Sequence, residues 1–109
     1  MEPKTLKSLV VRHFDFLRRD YGFEYDVGRH RYFKKSNEFR VVHENAKLKL
    51  FLTFNHKLST LEEVMRIVTK RDFIYPQYFS SFVLSMSDVD SRLAYDAKLI
   101  QEHAHELLE

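Results

Sequence analysis

The chain has 109 residues, a length typical of one folded domain, and its 44% of hydrophobic residues exclude a disordered chain. It contains no cysteine, which excludes a disulfide framework, a thiolate nucleophile and any cysteine-ligated metal site, and which fits a reducing compartment. Eighteen lysines and arginines against sixteen aspartates and glutamates leave a net charge of only +2, so charge by itself favours no class of partner.

The first five residues combine an acid with a proline and lead into an amphipathic segment, a pattern that differs from a secretory signal. The longest apolar stretches are far shorter than a membrane-spanning helix requires. The sequence therefore predicts a soluble, cytoplasmic protein without a membrane partner.

Between Pro3 and Tyr21, apolar residues recur three or four positions apart, and Gly22 follows where a helix C-cap is expected. The recurring positions are Leu6, Leu9, Val10, Phe14, Phe16 and Leu17. This spacing predicts one amphipathic helix at the start of the chain.

The hydrophobic period changes to two between Phe23 and Asn55, which predicts the strands of one antiparallel meander. The clearest alternation sets Leu48, Leu50, Leu52 and Phe54 against Lys49, Phe51 and Thr53. Residues that favour tight turns separate the strands at Asp26-Val27-Gly28, Ser36-Asn37 and Asn45-Ala46.

Two-residue turns at Ser36-Asn37 and Asn45-Ala46 fix the pairing of three strands, because directly paired residues share a face of the sheet. Lys35 then faces Glu38 and Glu44 faces Lys47, so each hairpin closes on opposite charges. The core face of this register carries Tyr32, Lys34, Phe39, Val41, Leu48, Leu50, Leu52 and Phe54.

The opposite face of the predicted sheet has Phe33, Arg40 and Phe51 in one row, which would let the arginine make cation–π contacts with both rings. The flanking rows are Arg31, Val42 and Lys49 on one side and Lys35, Glu38 and Thr53 on the other. Six of these residues form the predicted partner-binding set, which consists of Arg31, Phe33, Lys35, Arg40, Lys49 and Phe51.

Two alternatives stand beside a binding role for this face. Basic residues alternating with apolar ones are also the ordinary way in which an antiparallel sheet meets water. A C-terminal helix lying over the face would instead make Phe33 and Phe51 part of the core.

Ser59 and Glu62 form a capping-box pattern in front of a second helix, whose apolar positions are Leu61, Val64, Met65 and Val68. From about Pro76, the apolar residues up to Met86 fit a third helix, with an edge strand as the alternative. Ser87 and Asp90 open a last helix with the apolar face Val89, Leu93, Ala97, Ile100, Ala104 and Leu107.

These elements predict a single α+β domain over residues 1–109. Its order is an N-terminal helix, an antiparallel meander of three to four strands, and two or three C-terminal helices packed on the sheet.

The six histidines do not form a predicted metal site. His103 and His105 are two positions apart on a helix, whereas helical zinc ligands are spaced by four. The register places His30 opposite His43, but two ligands are too few for a site. His13, Asp15 and His56 are interpreted as surface polar residues.

Catalytic patterns are missing from the sequence as well. Ser80, Ser81, Ser85 and Ser87 lack the glycine-flanked turn of a serine nucleophile, and two glycines do not make a phosphate-binding loop. Asp88, Asp90 and Asp96 lack the spacing of a calcium loop, and the first two suit a helix N-terminus. The sequence predicts no catalytic residue, metal or cofactor, and therefore no enzyme.

The first half of the chain is similar to small bacterial immunity proteins encoded beside polymorphic and contact-dependent toxins. The resemblance rests on a helix that ends in Phe16-Leu17-Arg18-Arg19-Asp20-Tyr21-Gly22-Phe23 and leads into closely spaced hairpins. It transfers no functional residue to this chain. Many immunity proteins are acidic because they neutralise basic nucleases, and the net charge of +2 departs from that pattern.

The resemblance implies a toxin domain as the partner. The predicted function is accordingly a non-enzymatic protein-binding or inhibitory module, such as a toxin-neutralising immunity protein. The alternative is a nucleic-acid-binding module that uses the basic and aromatic face of the sheet. The sequence leaves the oligomeric state open.

Overall fold

A computed structural model of the chain describes residues 3–35, 37–44, 47–54, 57–73, 86–103 and 108. These residues form a five-stranded antiparallel sheet in the order β1-β2-β3-β4-β5, together with α-helices. The helices are α1 (Pro3–Phe14), α2 (Phe16–Tyr21), α3 (Leu61–Thr69) and α4 (Met86–His103), and the strands are β1 (Glu24–Asp26), β2 (Arg31–Lys34), β3 (Asn37–Glu44), β4 (Lys47–Phe54) and β5 (Lys57–Thr60).

The predicted α+β class with an antiparallel meander is confirmed, and the sheet has five strands instead of three to four. The helix predicted to begin near Pro76 falls on residues 74–85, which lie outside the described part of the chain. Within the described part, no helix has both the length and the apolar composition that crossing a membrane requires.

The predicted N-terminal helix is interrupted at Asp15, which separates α1 from α2. Positions two apart on a straight helix point in nearly opposite directions, yet Phe14 and Phe16 are both buried. Asp15 itself keeps a helical backbone, and its N–H still donates to the carbonyl of Val11 at 3.2 Å, so α2 follows directly on α1 and both rings reach the core. Gly22 ends α2 with a φ of 77°, as the sequence predicted.

One core lies on the inner face of the sheet, and all four helices contribute buried side chains to it. The sheet contributes Tyr32, Phe39, Val41, Leu48, Leu50 and Leu52, each at most 3% exposed. The ring of Phe14 on α1 packs on Phe39 of β3 at a centroid distance of 4.5 Å. On α4, Val89, Leu93, Ala97 and Ile100 are buried at helical spacing, which confirms the described part of the predicted apolar face.

The β3–β4 hairpin has the predicted register, with Glu44 paired to Lys47 and Arg40 paired to Phe51. The β2–β3 register is different from the prediction. Lys34 pairs with Asn37, so the connecting residues are 35 and 36, and Lys35 takes the left-handed conformation with a φ of 55°.

Moving this turn by one residue shifts the strand pairing by two, which keeps every side chain on its predicted face but changes its neighbours. Arg40 is therefore paired with Arg31, and the predicted row of Phe33, Arg40 and Phe51 is wrong. Phe33 pairs with Glu38, which was predicted to face Lys35.

The strand β5 pairs with β4 and places Ser59 on the inner face, where it is 4% exposed. The helix cap is consequently one residue later than predicted. The hydroxyl of Thr60 accepts a hydrogen bond from the backbone N–H of Glu63 at 3.2 Å, which satisfies one of the free N–H groups of the first turn of α3.

Candidate partner-binding face

The face of the sheet that points away from the core is called the outer face here. Its side chains are Glu24, Asp26, Arg31, Phe33, Glu38, Arg40, Val42, Lys49, Phe51, Thr53, Leu58 and Thr60, and the register assigns the paired positions Glu44 and Lys47 to the same face. Five of the six predicted partner-binding residues lie on it. Lys35 is exposed at the end of the β2–β3 hairpin, beyond the paired rows.

The outer face carries exposed charge. Arg40 and Lys49 are exposed, while Phe33, Val42 and Phe51 are half-buried. The helices of the described residues direct their buried side chains into the core on the inner face. The five side chains just named do not belong to that core.

Arg31 is held by two carboxylates. Its Nε donates to Asp26 Oδ2 at 3.1 Å across the β1–β2 pair, and its Nη1 donates to Glu38 Oε2 at 3.3 Å on β3. The guanidinium lies 4.9 Å from the ring centroid of Phe33, so the cation–π contact involves Arg31 and not Arg40 as predicted. The positive charge of Arg31 is therefore largely neutralised within the molecule.

Asp26 also stabilises the turn that follows β1. Its Oδ1 accepts a hydrogen bond from the backbone N–H of Gly28 at 3.1 Å, which organises the turn between β1 and β2. Desolvation opposes ionisation of this carboxyl, but the hydrogen bonds from Arg31 and Gly28 outweigh it and lower the pKa of Asp26 below its usual value.

Arg40 and Lys49 are in a different situation from Arg31. Neither has an ion pair with any side chain in the described part of the chain. Arg40 is paired with Phe51 and Lys49 with Val42, so the four residues form two adjacent rows in which a cation and an apolar side chain alternate. We call these four residues the Arg40–Lys49 patch.

Acidic residues lie at the β1–β3 side of the outer face. Glu24 is exposed. The side chains of Asp26 and Glu38, which bind Arg31, are 30% and 27% exposed. Asp26 and Glu38 therefore lie around Arg31, whereas Arg40 and Lys49 lie in the two rows that follow Glu38 along β3.

The histidine pair considered for a metal is not formed. The carbonyl oxygen of His30 accepts a hydrogen bond from the N–H of Val41 at 3.2 Å, and the strand partner of His43 is Leu48. Burial, together with the charge of Lys7, lowers the pKa of His30. Among the described residues, no group of three or more histidines and carboxylates is arranged to hold a metal ion.

Two contacts between elements were not foreseen, because His13 and Asp15 had been interpreted as surface residues. His13 on α1 donates from Nε2 to Asp90 Oδ1 on α4 at 2.6 Å. Asp15 accepts hydrogen bonds from Arg18 and from the hydroxyl of the fully buried Tyr32. Both contacts join distant parts of the chain, and neither lies on the outer face.

No family model, no curated protein and no solved structure matches this chain. The resemblance to immunity proteins stays a hypothesis.

Proposed function

We propose that this chain is a non-enzymatic protein-binding module and that its outer face docks on an acidic surface of another protein. The observation that carries the proposal is the Arg40–Lys49 patch, in which two exposed cations are left uncompensated beside the half-buried ring of Phe51. Arginine and aromatic side chains are enriched among the residues that contribute most to protein–protein affinity. Carboxylates on the partner would complement the two cations.

Nucleic acid is the second candidate partner, and the corrected register counts against it. A nucleic-acid backbone is uniformly negative, whereas Glu24, Asp26 and Glu38 lie on the same face as the cations. The rings of Phe33 and Phe51 no longer form one row around an arginine, which removes the stacking surface that the sequence had predicted. A face with both signs of charge suits a protein partner better.

An inhibitory role is the finer form of the same proposal. A small module that covers the active site of a toxin through its outer face needs only surface complementarity. A basic patch favours a toxin with an acidic surface over a nuclease, whose nucleic-acid groove is positively charged.

The proposal is tested by affinity purification with three forms of the full chain as bait. The wild-type chain and a Lys98→Glu control, which changes an exposed charge on α4, should recover the same partner. The double variant Arg40→Glu/Lys49→Glu should lose it. The product of the gene adjacent to this chain's gene is the first purified protein to assay for a direct complex.

Equal recovery of the partner by the double variant and the wild-type chain would refute the use of the outer face. Titration of labelled single-stranded DNA and RNA at low salt provides the second arm. Binding that the double variant abolishes, in the absence of any protein partner, would assign the face to nucleic acid instead.

A further inference from the structure

The four side chains of the Arg40–Lys49 patch form a checkerboard. The register pairs Arg40 with Phe51 and Val42 with Lys49, so the cations occupy one diagonal and the apolar side chains the other. Diagonal neighbours on an antiparallel pair are about 7–8 Å apart. A partner with two negative groups at about the separation of these two strand positions, and apolar surface beside them, would match the patch.

Among the cations of the outer face, those of the checkerboard are the ones available to attract a negatively charged partner. Arg31 is already neutralised by Asp26 at 3.1 Å and Glu38 at 3.3 Å. Arg40 faces Arg31 directly, an arrangement of like charges that costs stability. A partner's carboxylate at Arg40 would relieve this repulsion, whereas a carboxylate at Arg31 would have to displace an existing one.

We propose that the partner binds the Arg40–Lys49 patch with an acidic segment that carries two carboxylates on one side of an extended chain, two residues apart, and large apolar side chains on the same side. Alternate residues of an extended chain lie on one side and are about 6.6–6.8 Å apart, close to the separation of the diagonal strand positions of Arg40 and Lys49. This inference rests on the proposed function and adds the chemistry of the docked segment.

A protein segment differs from other polyanions in what it can offer this patch. Phosphates bring charge without apolar side chains, so they leave Val42 and Phe51 without a partner, and they meet Glu38 and Glu24 on the same face. An acidic segment that also carries apolar side chains satisfies both cations and brings apolar surface next to Val42 and Phe51.

The experiment uses the full chain, labelled with nitrogen-15, and short blocked peptides as probes. The first peptide has two glutamates two positions apart, flanked on the same side by leucines. A second peptide has the same composition with the glutamates six positions apart, and a third replaces both glutamates with lysine. An oligothymidylate of similar length is the fourth probe.

We expect millimolar binding of the first peptide at low salt, with amide shifts concentrated at residues 40–42 and 49–51. The second peptide should bind about fivefold more weakly and the third should not bind. Arg40→Glu/Lys49→Glu should weaken the first peptide at least about tenfold, while Lys98→Glu changes its affinity by less than about twofold. Dispersed spectra of every variant exclude unfolding as the cause.

Three results would overturn the inference: equal affinity for the first two peptides, shifts outside β3 and β4, or tighter binding of the oligothymidylate. The proposed function fails separately. If affinity purification yields a protein whose capture depends on Arg40 and Lys49 but whose contact surface is not acidic, the docking face stands and only the acidic segment is refuted.

Discussion

Arg31 and Arg40 are direct strand partners on the outer face, although they carry the same charge. Arg31 is compensated by Asp26 and Glu38, and Arg40 is exposed without an ion pair among the described residues. Like charges directly opposite each other destabilise a sheet, so stability alone does not explain an arginine at position 40. The proposed docking on an acidic surface would use this cation.

This relationship predicts that Arg40→Glu stabilises the fold while it weakens binding. A glutamate at position 40 would face Arg31 as an opposite charge, which should raise the free energy of unfolding by up to about 0.5 kcal/mol against the repulsion from Glu38 two residues away. Urea denaturation followed by circular dichroism measures the change. Lys49→Glu is the matched control, because its strand partner is Val42 and its gain should be smaller. Equal gains from the two variants, or a loss from Arg40→Glu, would contradict the argument.

The position of the α3 cap gives a second matched pair. The hydroxyl of Thr60 accepts the N–H of Glu63, whereas Ser59 is buried in β5. Thr60→Ala should therefore lower the free energy of unfolding by about 1 kcal/mol, the usual cost of losing an N-cap. Ser59→Ala should have a much smaller effect, as measured by the same urea transitions. If Ser59→Ala proves the more costly change, the cap lies where the sequence alone placed it.

The strongest hydrophobic patterns predicted their elements correctly. Strict alternation in β4 and three- and four-residue spacing in α3 and α4 each match one buried face. The opposite charges of Glu44 and Lys47 predicted the pairing of these two residues across the β3–β4 hairpin. β5 was missed because four residues that run straight into a helix give too short an alternation to recognise. The interruption at Asp15 falls between Phe14 and Phe16, whose two-residue spacing does not fit a single narrow apolar stripe.

The candidate face was predictable, but its internal pairing was not. A turn at residues 35 and 36 or at 36 and 37 leaves each side chain on the same face, so the hydrophobic pattern does not distinguish the two registers. In the observed register Arg31 reaches Asp26 on a third strand, β1, as well as Glu38. Local turn propensities contain no information about that third strand.

Two adjacent tyrosines on β1 and β2 provide a test of hydrogen bonding in the core. Their rings are 4.6 Å apart, but only Tyr32 has a partner, since its hydroxyl donates to Asp15 Oδ1 at 3.2 Å. The hydroxyl of Tyr25 is buried without a hydrogen-bond partner among the described residues. Burial raises the pKa of both tyrosines, so both hydroxyls are protonated at neutral pH.

Tyr32→Phe should therefore lower the free energy of unfolding by about 1 kcal/mol, and Tyr25→Phe should leave it unchanged or raise it. The two variants remove the same atom from neighbouring rings, so each is the control for the other in thermal or urea denaturation. A loss of similar size in both would mean that the Tyr25 hydroxyl makes an interaction comparable with that of Tyr32.

The contact between α1 and α4 predicts a pH dependence. The hydrogen bond from His13 lowers the pKa of Asp90 below its usual 3.8. Burial opposes this effect, and the charges of His13 and Arg12 lower the pKa further. A carboxyl with a lowered pKa in the folded state stabilises the fold above its unfolded pKa. That contribution is lost as the pH falls through the folded pKa, because the unfolded chain then binds the proton more readily.

Asp90→Asn keeps the shape of the side chain but removes its titration, so the decline in stability below about pH 4 should become shallower. Asp15 and Asp26, whose pKa values are also lowered, should retain part of that decline. Urea midpoints measured between about pH 2.5 and pH 6 test this, with Glu102→Gln as an exposed control on the same helix. An Asp90→Asn curve parallel to that of the wild-type chain would show that the contact with His13 does not stabilise the packing of α1 on α4.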